Sequence, residues 1–423
     1  MEKTGPFPEA RSDRLEADIS RMSEFTDRSQ KGWTRSAFTE VYNEGRRWLR
    51  SRMEAAGLTT RMDAAANLIG RLEGADSSLP PIVLGSHTDT VRNGGRFDGV
   101  IGVLAGIEAV RLLREHEIRL RHPLEIIDFT AEEPTDFGIS TIGSKAVAGN
   151  LTAGMLELQD PDGRSLAEAI RSAGGNPEDI ISARRKPGDI AAYFELHIEQ
   201  GPVLEKSRKE LGVVTGIVGI LRLLLTVTGS PDHSGTTPMT LRRDSLAGAA
   251  EMLLHLEKLC REPADAPLVG TIGRITVSPN APNVIAGETH LNVEIRSTDA
   301  ELMEATGASF LSGCCRIAES RSLLLESRRM SFTAPVSIEE RMMEIVRTAC
   351  SDVSPRYAEL VSGAGHDANQ IAGIAPVGMI FVPSRDGRSH CPEEDTDREH
   401  IRAGTDALLR CVTALDTAEE DGS

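Results

Sequence analysis

The sequence has few of the features that mark secreted or membrane-bound proteins. It contains 6 cysteines in 423 residues and no CxxC pair, which argues against a disulfide framework and against a zinc knuckle. No run of residues approaches the roughly 18 apolar positions that a membrane-spanning helix needs. The N-terminal segment, MEKTGPFPEARSDRLEAD, is charged and has no apolar core like that of a secretory signal. We therefore expect a cytoplasmic protein without a membrane partner.

Positive charge is also scarce. The chain has 47 Lys and Arg residues against 64 Asp and Glu residues, which gives a formal net charge of −17. An acidic excess of this size argues against binding to nucleic acid or to an anionic membrane surface. The length and the hydrophobic content of 39% are sufficient for two packed domains. These properties favour a globular protein that acts on a small molecule.

Most of the chain alternates between helical and strand patterns. Apolar residues at helical spacing predict helices over Thr34–Ala56, stopping at Gly57, and over Gly99–Arg114. Short apolar runs predict buried strands at Pro81–Gly85, Leu124–Phe129, Tyr193–Ile198 and Gly378–Val382. The alternation predicts a mostly parallel α/β sheet, in which ligands usually bind beyond the carboxyl ends of the strands.

The pattern changes between about residues 213 and 330. A β-rich run, VVTGIVGILRLLLTVTG, leads to a predicted helix, two strands, a second helix and a last strand. These are Asp244–Leu259, Val269–Val277, Val284–Ile295, Glu301–Ala318 and Leu323–Phe332. The order β-α-β-β-α-β is that of a ferredoxin-like unit. We therefore predict a larger α/β domain over residues 1–212 and 331–423, interrupted by an inserted domain over residues 213–330.

Side chains that bind metal ions follow the predicted strands of the larger domain. They are His87 and Asp89 after the first strand, Glu132 and Glu133 after the second, His197 in the third, His390 after the fourth, and Asp98 in the GGRFDG turn before a helix. Parallel strand ends meet at one edge of a sheet, so we expect these residues to lie together. Imidazole and carboxylate groups in this number suit two divalent ions of zinc, manganese, cobalt or nickel.

Each of these residues also has an ordinary structural explanation. Asp98 alone could be the N-cap of the helix that follows it. Glu132 and Glu133 could be solvated acids, and His197 could be a hydrogen-bonded core residue. Independent accidents would not all fall at strand ends, so the set as a whole favours a metal site.

The spacing within the set predicts different roles for neighbouring residues. Asp89 is predicted to hold the imidazole of His87 in one tautomer rather than to bind metal itself. Glu132 and Glu133 point to different sides of an extended chain. One can therefore bind metal while the other carries a proton between water and substrate, as amide hydrolysis requires.

Several segments resemble the family of N-carbamoyl-L-amino acid hydrolases and allantoate amidohydrolases, which belongs to the di-zinc aminopeptidase-like superfamily. They are GSHTDTV, GGRFDGVIGV, the EE pair, HIEQGPVLE, SGAGHDA and MIFVPS…SH, and the similarity runs from about residue 34 to 410. HIEQGP and SGAGHDA are the most distinctive. The resemblance implies an α/β, di-zinc aminopeptidase-like catalytic domain with an inserted ferredoxin-like lid, through which the chain forms a homodimer.

The resemblance also implies a role for each residue of the predicted metal site. Two divalent ions per subunit are implied to bind His87, Asp98, Glu133, His197 and His390, with Asp98 bridging the two ions. Glu132 is implied to be the general base that activates a water molecule and then protonates the leaving amine. Asp89 is expected to support catalysis by orienting His87.

Other residues are implied to contact the substrate. The segment DHSGTTP resembles the HAGTTP segment of the family, and its His233 is implied to stabilise the tetrahedral oxyanion across the dimer. The alternative is a loop histidine without a role. The remaining implied contacts are Asn283 and Arg296 with the substrate carboxylate, Gln200 with the ureido or carboxylate end, and Gly365 through its backbone. The Gly363–Asp367 loop could instead be only a tight turn.

Three positions depart from the pattern of the family. EEPTDFG has Asp136 where arginine is usual, PNVIAG has Ala286 where proline is usual, and RDGRSH has Arg388 in place of a small apolar residue. None of them removes a predicted ligand. They bear on the identity of the substrate rather than on the reaction.

The sequence therefore predicts a metal-dependent amidohydrolase that cleaves N-carbamoyl-L-amino acids or a related ureido acid such as allantoate. One alternative is an N-acyl-amino-acid amidase or peptidase of the same superfamily, against which HIEQGP argues. Another is a binding protein without activity, against which the retention of Glu132 argues. A nucleotide-binding protein is disfavoured because both a GxGxxG after a strand and a P-loop are missing.

Overall fold

The computed structural model describes residues 7–262 and 267–418. The outer ends of the predicted larger domain, 1–6 and 419–423, and residues 263–266 of the predicted inserted domain lie outside the described residues. The chain divides into two compact units, Met1–Thr215 with Ile338–Ser423, and Gly216–Ser337. The second unit begins three residues later and ends seven residues later than the predicted range of 213–330. No helix within the described ranges is long and apolar enough to cross a membrane.

The helices are α1 (Ser12–Ser23), α2 (Glu40–Ala55), α3 (Val100–Glu115), α4 (Ile142–Ala148), α5 (Ala153–Leu156), α6 (Leu166–Ser172), α7 (Val203–Lys206), α8 (Ser245–Arg261), α9 (Ala300–Ser320), α10 (Glu340–Val353), α11 (Asp367–Ile371) and α12 (Arg398–Ala418). The strands are β1 (Thr59–Met62), β2 (Leu68–Leu72), β3 (Ile82–His87), β4 (Leu124–Phe129), β5 (Ala192–Ile198), β6 (Leu211–Ile217), β7 (Gly219–Thr228), β8 (Leu268–Ser278), β9 (Glu288–Ser297), β10 (Leu324–Thr333), β11 (Val336–Ser337), β12 (Tyr357–Ser362) and β13 (Val377–Val382). Short 3₁₀ segments lie at Pro177–Ala183, Met239–Leu241 and Arg385–Gly387.

Nine of the described strands form one sheet. Its order is β1-β2-β4-β3-β5-β13-β6-β11, and β12 pairs with β6. The four central strands, β4-β3-β5-β13, are parallel, whereas β1, β2, β6 and β11 pair antiparallel. The prediction of a mostly parallel sheet is therefore wrong for the flanks. Every residue of the central strands is buried, because helices including α3 and α12 pack on the sheet.

Helix α2 begins later than predicted. The predicted start at Thr34 is wrong, because the side chain of Thr39 accepts a hydrogen bond from the amide of Tyr42 and so caps a helix that begins at Glu40. The end agrees with the prediction: Ala56 is the C-cap and Gly57 follows with a φ of 93°. Strand β3 is longer than predicted and ends at His87.

The smaller unit contains a four-stranded antiparallel sheet in the order β10-β7-β9-β8. Together with α8 and α9 it has the predicted ferredoxin-like order, and its core includes Leu225, Met252 and Phe310. One detail of the prediction is wrong. The β-rich run over 213–229 is not a single strand but two, since β6 joins the nine-stranded sheet and only β7 belongs to the smaller one.

Candidate metal centre

Two histidines lie at the carboxyl edge of the central parallel strands. His87 is the last residue of β3 and His197 is the last but one of β5. Their ring centroids are 6.0 Å apart, and both side chains are almost completely buried. Because β3 and β5 are parallel neighbours, their ends deliver both imidazoles to the same place.

Asp98 approaches these histidines from the turn before α3. Its Oδ1 atom lies 3.1 Å from Nε2 of His197 and 3.7 Å from Nε2 of His87. The residue that occupies the N-cap of α3 is Gly99, with a φ of 68°, so the side chain of Asp98 is not the cap. A Cβ at Gly99 would lie 2.4 Å from the ring of His87, and glycine is therefore required for this close approach.

A second cluster contains the other carboxylate oxygen of Asp98. Nε2 of His390 lies 3.2 Å from Oδ2 of Asp98 and 3.2 Å from Oε1 of Glu133. In each of the two clusters, His87–Asp98–His197 and Asp98–Glu133–His390, the ligand-type atoms lie within 4.8 Å of one another. The structure thus brings all five predicted metal ligands together in two groups that share Asp98.

Main-chain carbonyls orient the two buried imidazoles. Nδ1 of His197 lies 2.9 Å from the carbonyl oxygen of Ile198, and its Nε2 accepts a hydrogen bond from the amide of Gly99. Nδ1 of His87 lies 3.1 Å from the main-chain oxygen of Asp89 and 3.5 Å from its carboxylate. Both rings therefore carry the proton on Nδ1 and direct Nε2 toward Asp98.

Asp89 also organises the pair of glutamates. Its carboxylate oxygens accept hydrogen bonds from the amides of Glu132 (3.2 Å) and Glu133 (3.1 Å). The two glutamate side chains then diverge: Oε2 of Glu132 lies 3.6 Å from Nε2 of His87, whereas Glu133 contacts His390. Asp89 therefore acts on His87 mainly through its backbone and on the glutamates through its carboxylate.

The site is strongly charged for its degree of burial. Burial raises the pKa of Glu132 well above its usual range, although His87 opposes this shift. Burial would also raise the pKa of Asp98, but His197 and His390 outweigh it and hold that pKa well below its ordinary value. Burial lowers the pKa of His390, yet its hydrogen bonds to Asp98 and Glu133 raise it to about 11. The negative charges of the carboxylates and the positive charges of the imidazoles thus stabilise one another in this buried site.

The donor set fits two divalent ions. Three imidazoles and two carboxylates form two adjoining groups, and the two oxygens of the shared carboxylate of Asp98 face different histidines. Nitrogen and oxygen donors of this kind suit zinc, manganese, cobalt and nickel. Glu132 lies beside the set without being a member of either cluster.

Gln200 lies beside the second cluster. It is the second residue after β5 and has a φ of 58°, and its Nε2 donates a 2.7 Å hydrogen bond to Oδ2 of Asp98. Its Oε1 is buried and has no hydrogen-bond partner among the described residues. A buried acceptor without a partner is costly, so this atom is suited to receive an N–H group from a bound molecule. Gly365, partly exposed, lies in the loop between β12 and α11.

In the smaller unit, the loop after β7 holds His233 in a defined orientation. Nδ1 of His233 accepts hydrogen bonds from the amides of Gly235 (3.0 Å) and Thr236 (3.2 Å). The neutral ring must therefore carry its proton on Nε2, where it can be donated. The amide of Ser234 donates to the carbonyl of Asn283, so His233 and Asn283 lie on adjoining segments, and both are exposed.

Arg296 lies on β9 of the same unit and is not a free cation. Its Nε donates to Oε1 of Glu294 at 2.7 Å, and Arg222 donates to Oε2 of the same carboxylate at 2.7 Å. Burial, which would raise the pKa of Glu294, is outweighed by the two arginines, and the pKa is lowered. Three charges thus form one cluster with a net charge of +1.

Sequence reasoning missed a layer of buried acids behind the ligands. Oε1 of Glu195 accepts a hydrogen bond from Ser86 and Oε2 accepts one from Tyr193, and its carboxylate, His197 and His366 form a third group of ligand-type atoms. Both oxygens of Glu195 are thus engaged by protein donors, which favours a supporting role. The signal was its alternation with His197 along β5, which places both residues on one face.

Asp367 belongs to the same layer. Its Oδ1 contacts the hydroxyl of Ser144 at 2.5 Å, and burial followed by the charge of Glu195 raises its pKa to about 8. The SGAGHDA segment was singled out for its backbone, but the structure shows that its His366 and Asp367 are both buried.

The three departures from the family pattern leave the ligand clusters intact. Asp136 is exposed and forms a 2.9 Å ion pair with Arg92, which offsets its charge. Ala286 is buried, and its carbonyl accepts a hydrogen bond from the amide of Ser245 at the start of α8. Arg388 lies 3.6 Å from the carboxylate of Glu393 on the surface.

Comparisons with known proteins agree with this geometry. The model of peptidase family M20/M25/M40 matches residues 83–414. An N-carbamoyl-L-amino-acid amidohydrolase of Paenarthrobacter aurescens is 40% identical over 96% of this chain and 98% of its own length. A ureidoglycolate hydrolase of Arabidopsis thaliana is 35% identical over 95% of this chain and 86% of its own.

A crystal structure of a hydantoinase/carbamoylase family amidase from Burkholderia multivorans superposes with a TM-score of 0.87 at 34% identity, covering 96% of this chain and 98% of that one. The matched range includes every residue of both ligand clusters. The chain therefore belongs to the metal-dependent peptidase family M20/M25/M40 and, within it, groups with the N-carbamoyl-L-amino-acid amidohydrolases.

Proposed function

We propose that the protein hydrolyses the carbamoyl group of N-carbamoyl-L-amino acids or of a closely related ureido acid such as allantoate. The observation that carries this proposal is the pair of ligand clusters sharing Asp98, with the buried carboxylate of Glu132 beside them. Relatives that act on carbamoyl and ureido compounds supply the substrate class. The reaction adds water to the ureido carbonyl and yields the free amine, ammonia and carbon dioxide.

Two divalent ions per subunit belong to this proposal. His87 and His197 would hold one ion, Glu133 and His390 the other, and Asp98 would join both. When bound, such ions polarise the scissile carbonyl and lower the pKa of a bound water molecule. The same residues accept zinc, manganese, cobalt or nickel, so the identity of the ion depends on its supply.

Glu132 would move the proton in this reaction. Its carboxylate takes a proton from the attacking water as the new C–O bond forms. It then delivers that proton to the amine nitrogen as the C–N bond breaks, so the base returns to its starting state. Its buried position excludes bulk water and keeps the carboxylate next to His87. Asp89 would support this step by holding the amides of both glutamates.

The remaining predicted residues would bind the substrate. Nε2–H of His233 is suited to donate to the oxyanion of the tetrahedral intermediate, because Gly235 and Thr236 occupy Nδ1. Arg296 and Asn283 would hold the carboxylate, and Oε1 of Gln200 would accept from the ureido group. Gly365 would line the pocket through its backbone.

A homodimer formed by the smaller unit is also part of the proposal, with His233 acting on the metal centre of the partner. Strand β8 is an edge of its sheet and exposes Val269 and Ile275, and α8 exposes Leu254. An unpaired edge with exposed apolar side chains favours association with a second copy. The cysteines are all free, which is consistent with the proposed cytoplasmic location.

The test is ammonia release from a panel of ureido acids and N-acyl amino acids. Protein stripped with a chelator is reloaded separately with manganese, zinc, cobalt or nickel. Glu132→Gln should retain the metals and lose turnover, whereas Glu157→Gln, an exposed acid outside the site, should behave as wild type. Turnover that needs metal and Glu132 supports the proposal. Cleavage of N-acyl compounds alone would assign the protein to an amidase, and metal-independent turnover would refute the mechanism.

A further inference from the structure

Glu394 belongs to the same loop as His390 and contacts the turn that carries Asp98, and its side chain is almost completely buried. Its Oε1 accepts hydrogen bonds from the amides of Phe97 (2.8 Å) and Asp98 (3.1 Å). Its Oε2 faces the hydroxyl of Ser389 at 2.9 Å and the amide of His390 at 3.4 Å. One carboxylate thus touches the backbone of two of the three residues that form the second ligand cluster, Asp98 and His390.

Ser389 extends this connection to a ligand atom. Its hydroxyl lies 2.7 Å from Oδ2 of Asp98, which is the oxygen that faces His390. Glu394, Ser389 and Asp98 therefore form a short chain of polar contacts. It runs from one loop to the other and ends on the shared carboxylate.

Gly95 shows that space is reserved for this carboxylate. A Cβ at Gly95 would lie 2.0 Å from Cδ of Glu394, far closer than atoms can approach. Gly95 does not have a left-handed backbone conformation, so its φ gives no reason for glycine. The position of Glu394 gives that reason, and the GGRFDG turn and the SHCPEE loop fit each other around it.

We propose that Glu394 is a positioning residue that fixes the distance between Asp98 and His390 and thereby sets the affinity of the metal site formed by Asp98, Glu133 and His390. The inference rests on the proposed metal centre. Both oxygens of Glu394 are occupied by protein donors, so it acts through Asp98 and His390 rather than on substrate. Residues that orient ligands in this way typically change metal affinity by about 10- to 100-fold.

The other metal site shares Asp98 but should depend on Glu394 less, because it uses Oδ1 of Asp98, whereas the Glu394–Ser389 chain ends on Oδ2. His87 and His197 extend from strands β3 and β5, and each is oriented by a main-chain carbonyl close to it in sequence. Neither contacts Glu394. Loss of Glu394 should therefore weaken one site selectively, whereas a general destabilisation of the fold would weaken both.

The experiment is a titration of chelator-stripped protein with Co²⁺ in the presence of a competing chelator, followed by its visible absorption spectrum. Glu394→Gln is compared with Glu393→Gln, an exposed acid one residue away in the same loop. His390→Ala identifies the site that contains His390. We expect Glu394→Gln to weaken that site about tenfold or more while the other site changes less than about threefold. Glu393→Gln should match wild type.

A second pair of variants separates positioning from folding. Gly95→Ala should displace Glu394 and weaken the same site in an otherwise wild-type chain. In the Glu394→Gly background the Cβ and carboxylate that the added methyl group would overlap are gone, so Gly95→Ala should cause no further loss. Gly154→Ala, whose Cβ would meet nothing within 4 Å, is the control.

The outcomes distinguish this proposal from that of the metal centre. If the wild type binds two ions and both sites weaken equally in Glu394→Gln, or neither does, the positioning role is refuted. Additive losses for Gly95→Ala and Glu394→Gly would refute it as well. If the wild type does not bind two ions, the metal centre itself fails, and this inference fails with it.

Discussion

The proposed site draws on two regions that are organised in opposite ways. In the larger unit, His87, His197 and Asp98 are buried, and each is held by a second protein group. In the smaller unit, His233 and Asn283 are exposed, and Arg296 is committed in part to Glu294. The first region is complete within one chain. The second presents polar side chains at an accessible surface.

This difference follows from what each region has to bind. A resident cation needs charged donors that are already converged, since bringing like charges together at each turnover would cost several kcal/mol. A substrate has to enter and leave, so the groups that hold it must stay accessible. His390, with 45% of its side chain exposed, lies between these extremes because it closes the metal cluster from the solvent side.

The largest expected effect comes from removing the residue that both clusters share. Asp98→Asn should lose both ions and lower kcat/KM by roughly a thousandfold or more, which corresponds to about 4 kcal/mol. Asn283→Ala should keep the full metal content and mainly raise KM for the carboxylate substrate. Metal analysis of the purified proteins together with steady-state kinetics checks both. If Asn283→Ala also lost metal, the two regions would not be independent.

The second prediction tests whether the smaller unit serves the partner's metal centre. Glu132→Gln and His233→Ala should each form nearly inactive homodimers. If His233 acts across the dimer, a mixed dimer has one site with both residues intact, so a 1:1 mixture should recover about a quarter of wild-type activity. The measurement is ammonia release after subunits are mixed, separated and allowed to reassociate.

Recovery in this experiment requires exchange between subunits, which native mass spectrometry of a mixture of tagged and untagged chains measures directly. If exchange is demonstrated and no activity returns from the two inactive variants, His233 acts within its own chain. The exposure of His233 and Asn283 would then not reflect a role in the site of the partner subunit.

The third prediction concerns the coupling between metal binding and protons in the larger unit. Without metal, the carboxylates beside His390 and His87 raise the pKa values of both imidazoles, that of His390 to about 11. Metal ions bind the neutral ring, so binding must release protons, and the apparent affinity should rise with pH between 6 and 8 by up to about tenfold per pH unit for each proton released. Calorimetry in buffers of different ionisation enthalpy counts these protons. An affinity that is independent of pH would contradict the ligand assignment.

The comparison also explains what could be predicted from the sequence. The meeting of His87, Glu133, His197 and His390 could be predicted because they lie at or after the ends of buried strands, and parallel strands deliver their ends to one edge. Glu195 and Glu394 were not assigned: alternation along β5 places Glu195 on the face of His197 without showing what it binds, and Glu394 has no spacing that marks a glutamate supporting a ligand. Its role appears only when Ser86 and Tyr193, or Phe97 and Asp98, are seen to donate to it.

The boundary errors have a similar origin. The run over 213–229 is β-rich throughout, and periodicity alone could not show that it turns from one sheet into another between Ile217 and Gly219. The antiparallel flanks of the large sheet were missed because β1, β2 and β11 are short and partly exposed. In the smaller unit, the residue types of Arg222, Glu294 and Arg296 were readable, but their mutual pairing depends on the register of β7 with β9.

The smallest expected effect concerns that pairing and tests how far the smaller unit is organised before substrate binds. Glu294 neutralises one of the two positive charges of Arg222 and Arg296, which leaves a net charge of +1, suited to a single carboxylate. Glu294→Gln should raise the preference for N-carbamoyl-L-aspartate over N-carbamoyl-L-alanine by about fivefold, equivalent to about 1 kcal/mol, because a second carboxylate then no longer meets the negative charge of Glu294. The ratio of kcat/KM values measures this preference, with Glu326→Gln, an exposed acid on β10 of the same sheet, as the control.

An unchanged ratio would mean that Arg222 lies outside the reach of the substrate and that Glu294 only fixes the direction of Arg296. In that case Glu294→Gln should raise KM equally for both substrates, since Arg296 without the ion pair to Glu294 has more orientations to lose on binding.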